Sequence, residues 1–218
     1  MESGLDESLD GIAAVFLDLD GTIYLGDGLI EGASQFLDRL EEHGIRRFFL
    51  SNNSSKSVSQ YLEKLGGMSL ESFEEVVRTN LTSAFVTLSV ACKQMLRNGG
   101  GRVVFTSSVA GSLGLVNHEA VSAAKGGVES MARSAASTYA RRGIRVNVVA
   151  PGLTDTRLSA PITSPDASKR AAVGMIPLRR INLPEEVANS VHWLLTSAPD
   201  NMTGQVLHLD GGMSKLRN

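Results

Sequence analysis

Strand-like and helix-like patterns alternate along the whole chain, and nothing else in the sequence restricts the fold as tightly, because parallel strands need crossover connections that are usually helices. Residues 12–17 form a continuous apolar run, as in a parallel strand covered on both faces, and the run stops at Asp18, Leu19, Asp20 and Gly21. Ala33, Phe36, Leu37 and Leu40 then share one helical stripe, closed by Gly44 in a C-cap position. Residues 47–50 read as a second strand, before Ser51, Asn52 and Asn53. A short helix is expected over 58–65. A long one is expected over 69–97, where Phe73, Val76, Val77, Leu81, Ala84, Phe85, Leu88, Cys92 and Met95 recur at three- and four-residue steps. Strands over 102–105, 145–149 and 205–209, a small-residue-rich helix over 121–141 and a helix beginning at Pro184 complete the pattern. The stretch between Gly152 and Pro184, rich in Ser, Pro and Thr, reads as loop.

A length of 218 residues suits one sizeable core, expected over 11–214, with the acidic stretch 1–10 as a leader rather than a secretory signal. With 42% hydrophobic residues, 20% charged residues and a net charge of -2, the chain has the balance of a globular protein and lacks a basic surface for nucleic acid. No apolar run approaches the ~20 residues of a membrane span. The single cysteine, Cys92, rules out an internal disulfide and any multi-cysteine metal site, and its neighbours Val90, Ala91 and Met95 point to a buried thiol. A soluble, cytoplasmic protein, suited to recombinant expression, is the expectation.

Two carboxylates one residue apart at the C-terminal end of a parallel strand point into the crevice where α/β proteins bind ligands. Asp18 could attack phosphorus, Asp20 could carry a proton, and both could share one Mg2+. An acidic strand end before a glycine turn explains the same letters. The segment VFLDLDGT, residues 15–22, resembles the first motif of the haloacid dehalogenase superfamily, and residues 24–44 and 49–55 resemble its nitrophenylphosphatase-like branch, which places Ser51 as a phosphate ligand. The resemblance spans about residues 11 to 67. The family's later lysine and distal acidic pair have no counterpart, so at most weak Mg2+ binding by Asp18 and Asp20 is implied.

Residues 68–214 carry a second set of motifs in order. Asn80 stands in VVRTNL, the serine pair Ser107 and Ser108 in VFTSSVAG, Lys125 in NHEAVSAAKGG, and Pro151, Gly152 and Thr156 in APGLTDT. These resemble the C-terminal part of the short-chain dehydrogenase/reductase family. The resemblance implies a helix-kinking asparagine at Asn80, a catalytic serine at Ser108, a catalytic lysine at Lys125, and a nicotinamide-covering loop at Pro151, Gly152 and Thr156. The family's tyrosine, four residues before the lysine, is here Val121, which has no proton to give. No glycine-rich dinucleotide fingerprint is visible either, so NAD(P) binding is not expected. Bland roles remain open for Lys125 and the serines, as helix-start and turn residues.

The two resemblances together imply a Rossmann-like, three-layer α/β fold with a parallel sheet of about five strands. They further imply an engineered or selected chimera, joined near Gly66 to Met68, with no complete active site and only remnants of a phosphatase and an oxidoreductase. Two rival readings stay open: a weak Mg2+-dependent phosphohydrolase using Asp18, and a phosphate- or nucleotide-binding module without turnover. An apolar first strand at a sheet edge and the exposed stripe of the 69–97 helix imply self-association as a homo-oligomer, with no nucleic-acid or membrane partner.

Overall fold

A computed structural model describes residues 14–18, 24–25, 28–29, 32–50 and 70–216, divided into two compact units, Met1–Ser55 and Lys56–Asn218. In the first unit, strand β1 (Ala14–Asp18) pairs in parallel with β4 (Arg46–Leu50), from Ala14 opposite Arg46 to Asp18 opposite Leu50. Between them lie the antiparallel pair β2 (Tyr24–Leu25) and β3 (Gly28–Leu29) and the helix α1 (Ala33–Glu42). Ala33 and Leu40 are buried in α1, whereas Phe36, on the edge of the same stripe, is 39% exposed. Gly44 ends the helix with φ 66°, where a side chain would be strained, and the N–H of Ile45 then closes on the Leu40 carbonyl at 2.8 Å.

The second unit holds the parallel sheet β5 (Gly101–Thr106), β6 (Ile144–Pro151) and β7 (Val206–Leu209), in that order, with β6 central. Its helices are α2 (Leu70–Val77), α3 (Ser83–Arg97), α4 (Glu119–Tyr139), α5 (Ala160–Thr163), α6 (Asp166–Gly174) and α7 (Pro184–Thr196). Because strand side chains alternate, β6 presents Val146 and Val148 to one face and Val149 to the other. The first pair packs with Leu88 and Cys92 of α3 and with Val128, Ala132 and Ala136 of α4. Val149 packs with Leu194 of α7 and with Ala198. Helices therefore cover both faces, giving the three layers the alternation implies. Each fully buried Val or Leu contributes roughly 1.5–3 kcal/mol, and β6 concentrates such residues.

The small residues of α4 serve close approach. A Cβ on Gly127 would meet a Leu81 methyl at 2.8 Å, and one on Gly126 would lie 3.2 Å from the Gly111 carbonyl oxygen. The thiol of Cys92 is buried as expected, and burial pushes its pKa up.

Two local expectations are corrected. The 69–97 helix is broken by a π-helical turn, Arg78–Thr82, where the Asn80 amide donates to the Val76 carbonyl at 3.1 Å and competes with the regular backbone ladder. The stretch read as loop after Gly152 contains α5 and α6, because its Ser, Pro and Thr residues sit at helix boundaries: Ser159 before α5, and Ser164 and Pro165 before α6. The expected short helix over 58–65, the junction at Gly66 to Met68 and the leader over 1–10 lie outside the described residues.

Candidate active site

The three parallel strands of the second unit end at one edge, and the chemistry-bearing side chains follow those ends. β5 leads into Ser107, whose N–H extends the ladder by donating to the Val149 carbonyl at 2.8 Å. Ser108 is fully extended, and its Oγ accepts from the Ala110 N–H at 3.2 Å, capping the short 3-10 turn Val109–Gly111. Because that oxygen is used as an acceptor, the hydroxyl proton remains for a bound molecule.

Lys125 lies in the second turn of α4 and comes to the same edge: its ammonium donates to the Thr106 carbonyl, the last residue of β5, at 3.2 Å. One helical turn earlier, Val121 is half-buried against Val76, Ala120 and Ala124. The position that would carry a proton donor is packed as hydrocarbon.

β6 ends in Pro151, and Gly152 donates to the Leu209 carbonyl at 2.8 Å. A Cβ on Gly152 would come within 3.0 Å of Asp210, so only glycine lets the strands diverge there without adjustment. The loop beyond is latched by Asn182, whose amide donates to the Leu209 carbonyl at 2.6 Å and whose backbone N–H donates to Leu153 at 2.9 Å. Thr156 follows, exposed, with its N–H on the Ser159 hydroxyl at 3.0 Å. Asp210 is a turn aspartate, as its sequence position suggests. Burial works to raise its pKa, but hydrogen bonds from Ser214 and Gly212, aided by His208, hold it below the usual value.

The structure thus brings Ser108 and Lys125 to one strand end, Pro151, Gly152 and Thr156 to the next, and Asn80 to the π turn whose Leu81 packs on α4. Asp18 is the last residue of β1; Asp20 and Ser51 lie outside the described residues. Among the described residues no group of three His, Cys, Asp or Glu side chains is placed to hold a metal ion. Three site-edge residues escaped the sequence reading: Asn182, Glu129 and His208. Glu129 had a signal, a carboxylate four residues after Lys125 and three before the buried Ala132, on a face otherwise built of small and apolar residues.

Known proteins match this arrangement over most of the chain. A family model described as enoyl-(acyl carrier protein) reductase matches residues 33–214. The 3-oxoacyl-[acyl-carrier-protein] reductase MabA of Mycobacterium tuberculosis is 36% identical over 174 residues, which cover 80% of this chain and 68% of that protein. Glucose 1-dehydrogenase 2 of Bacillus subtilis is 32% identical over 219 residues, covering 97% of this chain and 81% of its own. A solved structure assigned as an NAD(P)-dependent gluconate 5-dehydrogenase of Beutenbergia cavernae, with NADP bound, superposes with a TM-score of 0.68 at 26% identity, over 84% of this chain and 83% of that one.

These matches overturn three expectations. One continuous match crosses the junction expected at Gly66 to Met68 and takes in residues 33–67, so the chain is not a chimera with a haloacid dehalogenase fragment. Two aspartates after a buried strand are a spacing that any α/β fold can produce, and they do not carry a family by themselves. The reading as a scaffold without native function, and its phosphohydrolase and phosphate-binding alternatives, fall with the chimera. The expectation against NAD(P) falls too, since a structural relative binds NADP. The chain belongs to the short-chain dehydrogenase/reductase family of oxidoreductases, across a span that runs from the start of the first helix to just beyond the last strand.

Proposed function

We propose that this protein is an NAD(P)-dependent oxidoreductase that interconverts a carbonyl and an alcohol at the C-terminal ends of β5 and β6. One observation carries the reading: the Lys125 ammonium is held on the Thr106 carbonyl, at the strand end that presents Ser108. The carbonyl–alcohol pair is the chemistry common to a 3-oxoacyl reductase and a glucose dehydrogenase. The donor set suits a nicotinamide nucleotide, with an ammonium for ribose hydroxyls and the Thr156 hydroxyl and Pro151–Gly152 backbone on the loop after β6. Asn80 acts through the π turn that packs on α4.

Bound there, the nicotinamide supplies or accepts the hydride. Ser108 donates its hydroxyl to the substrate oxygen and stabilises negative charge as it develops. Lys125 adds a positive charge at the same edge. Val121 gives no proton, so the oxygen takes one from water, and turnover is slow relative to a site with a phenol. The test is a fluorescence titration with NADPH, followed by carbonyl reduction by wild type, Ser108→Ala and Lys125→Ala. Saturable binding and a slow rate that both variants lower support the reading; no NADPH binding by the full chain overturns it.

Self-association is part of the proposal. Phe85, Val86 and Val90 of α3 are 60%, 55% and 46% exposed, an apolar stripe that a second copy would cover. Light scattering on the eluted protein checks it, and a monomer at micromolar concentration refutes it. Among the described residues no helix is long and apolar enough to cross a membrane.

A further inference from the structure

Four side chains that the proposed chemistry leaves unused meet behind the end of β5. Glu129 is 5% exposed, and Ser107, 4% exposed, donates to its Oε1 at 2.8 Å. The Ser112 hydroxyl lies 3.2 and 3.3 Å from the two Glu129 oxygens and 3.0 Å from Nε2 of His208 on β7. The cluster leaves no spare room: a Cβ on Gly111 would stand 2.8 Å from Glu129 Oε1 and 2.9 Å from Ser107 Oγ.

Proton counting fixes the direction of every bond. Each serine has one proton, and a carboxylate can only accept. A carboxylate withdrawn from water needs both donors, so Ser107 and Ser112 each give their proton to Glu129. The Ser112 oxygen then accepts, and His208 donates through Nε2–H, with its other nitrogen as the acceptor in the neutral ring. The chain of donors ends at the carboxylate. It is a clamp and not a proton path to the substrate.

The clamp grips both ends of the segment that carries Ser108. Ser107 precedes it and Ser112 follows the turn after it, while Glu129 stands one helical turn beyond Lys125, whose carbonyl oxygen lies 3.2 Å from the Ser107 hydroxyl oxygen. We propose that Glu129 is a positioning residue that sets Ser108 against Lys125 by tying the β5 end, the Val109–Gly111 turn and β7 to α4. This rests on reading Ser108 and Lys125 as site residues.

Glu129→Gln tests it, because the amide keeps one accepting oxygen, held by Ser107 on the shorter bond, and turns an NH2 donor toward Ser112. Ser112 then turns its proton to His208 Nε2, and the histidine moves its own to Nδ1. Nitrogen-15 spectra of the full chain at about pH 8, above the ordinary histidine range, should show His208 as the Nε2–H tautomer in wild type and in Glu129→Asp. They should show Nδ1–H in Glu129→Gln. Amide exchange at Ala110, which donates to Ser108 Oγ, should quicken by about tenfold in Glu129→Gln and by less in Glu129→Asp, in line with losing a charge-assisted hydrogen bond. NADPH should bind about tenfold more weakly to Glu129→Gln, with Glu129→Asp partly restored.

A wild-type Nδ1–H tautomer, or an Nε2–H tautomer that persists in Glu129→Gln, overturns the clamp. A tautomer switch with unchanged Ala110 exchange overturns the positioning role. If wild type binds no NADPH, the functional reading fails, while the tautomer and exchange results still decide the clamp. Should Glu129→Gln not fold, Ser112→Ala cuts the link from Glu129 to His208, and unchanged Ala110 exchange there sinks the proposal.

Discussion

The end of β1 and the end of β5 look alike as sequence: an apolar parallel strand, then two polar residues, then a glycine a few positions on. They differ in what answers them from the rest of the chain. After β5, Ser107 is met by Glu129 from α4, Thr106 by the Lys125 ammonium, and Ser108 by the turn it caps. After β1, the motif Asp18, Leu19, Asp20, Gly21 has the right spacing, but the later lysine motif and distal acidic motif of the family it suggests have no counterpart in the sequence. A strand-end motif is specific only when residues far away in the chain complete it.

The sharpest way to break that contrast is to rebuild the missing part of the β5 site. Val121→Tyr places a phenol one helical turn before Lys125, and proton donation by a positioned side chain is worth about a hundredfold or more in rate. The variant should raise NADPH-dependent carbonyl reduction by roughly that factor with little change in coenzyme affinity. Asp18→Asn should leave the rate alone. If Asp18→Asn abolished turnover and Val121→Tyr did not raise it, the β1 end and not the β5 end would be the site.

Packing gives the next test. Leu194 is 1% exposed and closes the α7 side of the sheet over Val149, so Leu194→Ala should destabilise the second unit by about 2–5 kcal/mol. Urea denaturation monitored by Trp193, one residue away, would report it. A loss near zero would mean that α7 is not part of the core that supports the strand ends. Gly111→Ala should cost less, about 1–3 kcal/mol, as an added methyl is forced against the Glu129 carboxylate and the Ser107 hydroxyl. Its effect should shrink but not vanish in a Glu129→Ala background, since the Ser107 hydroxyl at 2.9 Å and the Gly126 nitrogen at 3.1 Å still meet the methyl.

Most of the framework was legible because burial writes itself into sequence. The valine-rich stretch of β6, the three- and four-residue steps of α3 and the proline at the start of α7 all mark their elements to within a residue or two. The π turn at Arg78–Thr82 was not legible as such, since one asparagine side chain competing for the Val76 carbonyl leaves no periodic trace. The positions of α5 and α6 were hidden by Ser, Pro and Thr, which serve loops and helix ends equally. At the proposed site, Ser108, Lys125 and the Pro151–Gly152 loop are the residues that motif order singles out, and they lie at neighbouring strand ends. The clamp could not, because Ser112, Glu129 and His208 are joined only by the meeting of a turn, a helix and a strand. The family was half-missed for a related reason: a compact match to VFLDLDGT outweighed the weaker likeness that runs through residues 33–67.

The smallest expected effect sets the buried carboxylate of the clamp against an exposed one. Glu186 caps α7: it accepts from the Leu183 N–H at 2.8 Å and forms a two-bond pair with Arg180, at 2.6 and 2.8 Å. The Arg180 hydrogen bonds, with the Leu183 N–H, lower its pKa to about 2. A carboxylate whose folded-state pKa is depressed adds stability above its unfolded value, and that stability is lost as pH falls toward the folded value. The contribution of Glu186 should therefore be constant at neutral pH and fade between about 4.5 and 2. The pair is exposed, so salt should weaken it, and the total effect should stay small. Urea midpoints of wild type and Glu186→Gln, compared at low and moderate salt, would show the two curves converging through this acid window. If the gap stayed open at its lower end, the stabilisation would come from helix packing around position 186 and not from its charge, in contrast to Glu129, whose clamp depends on an accepting carboxylate.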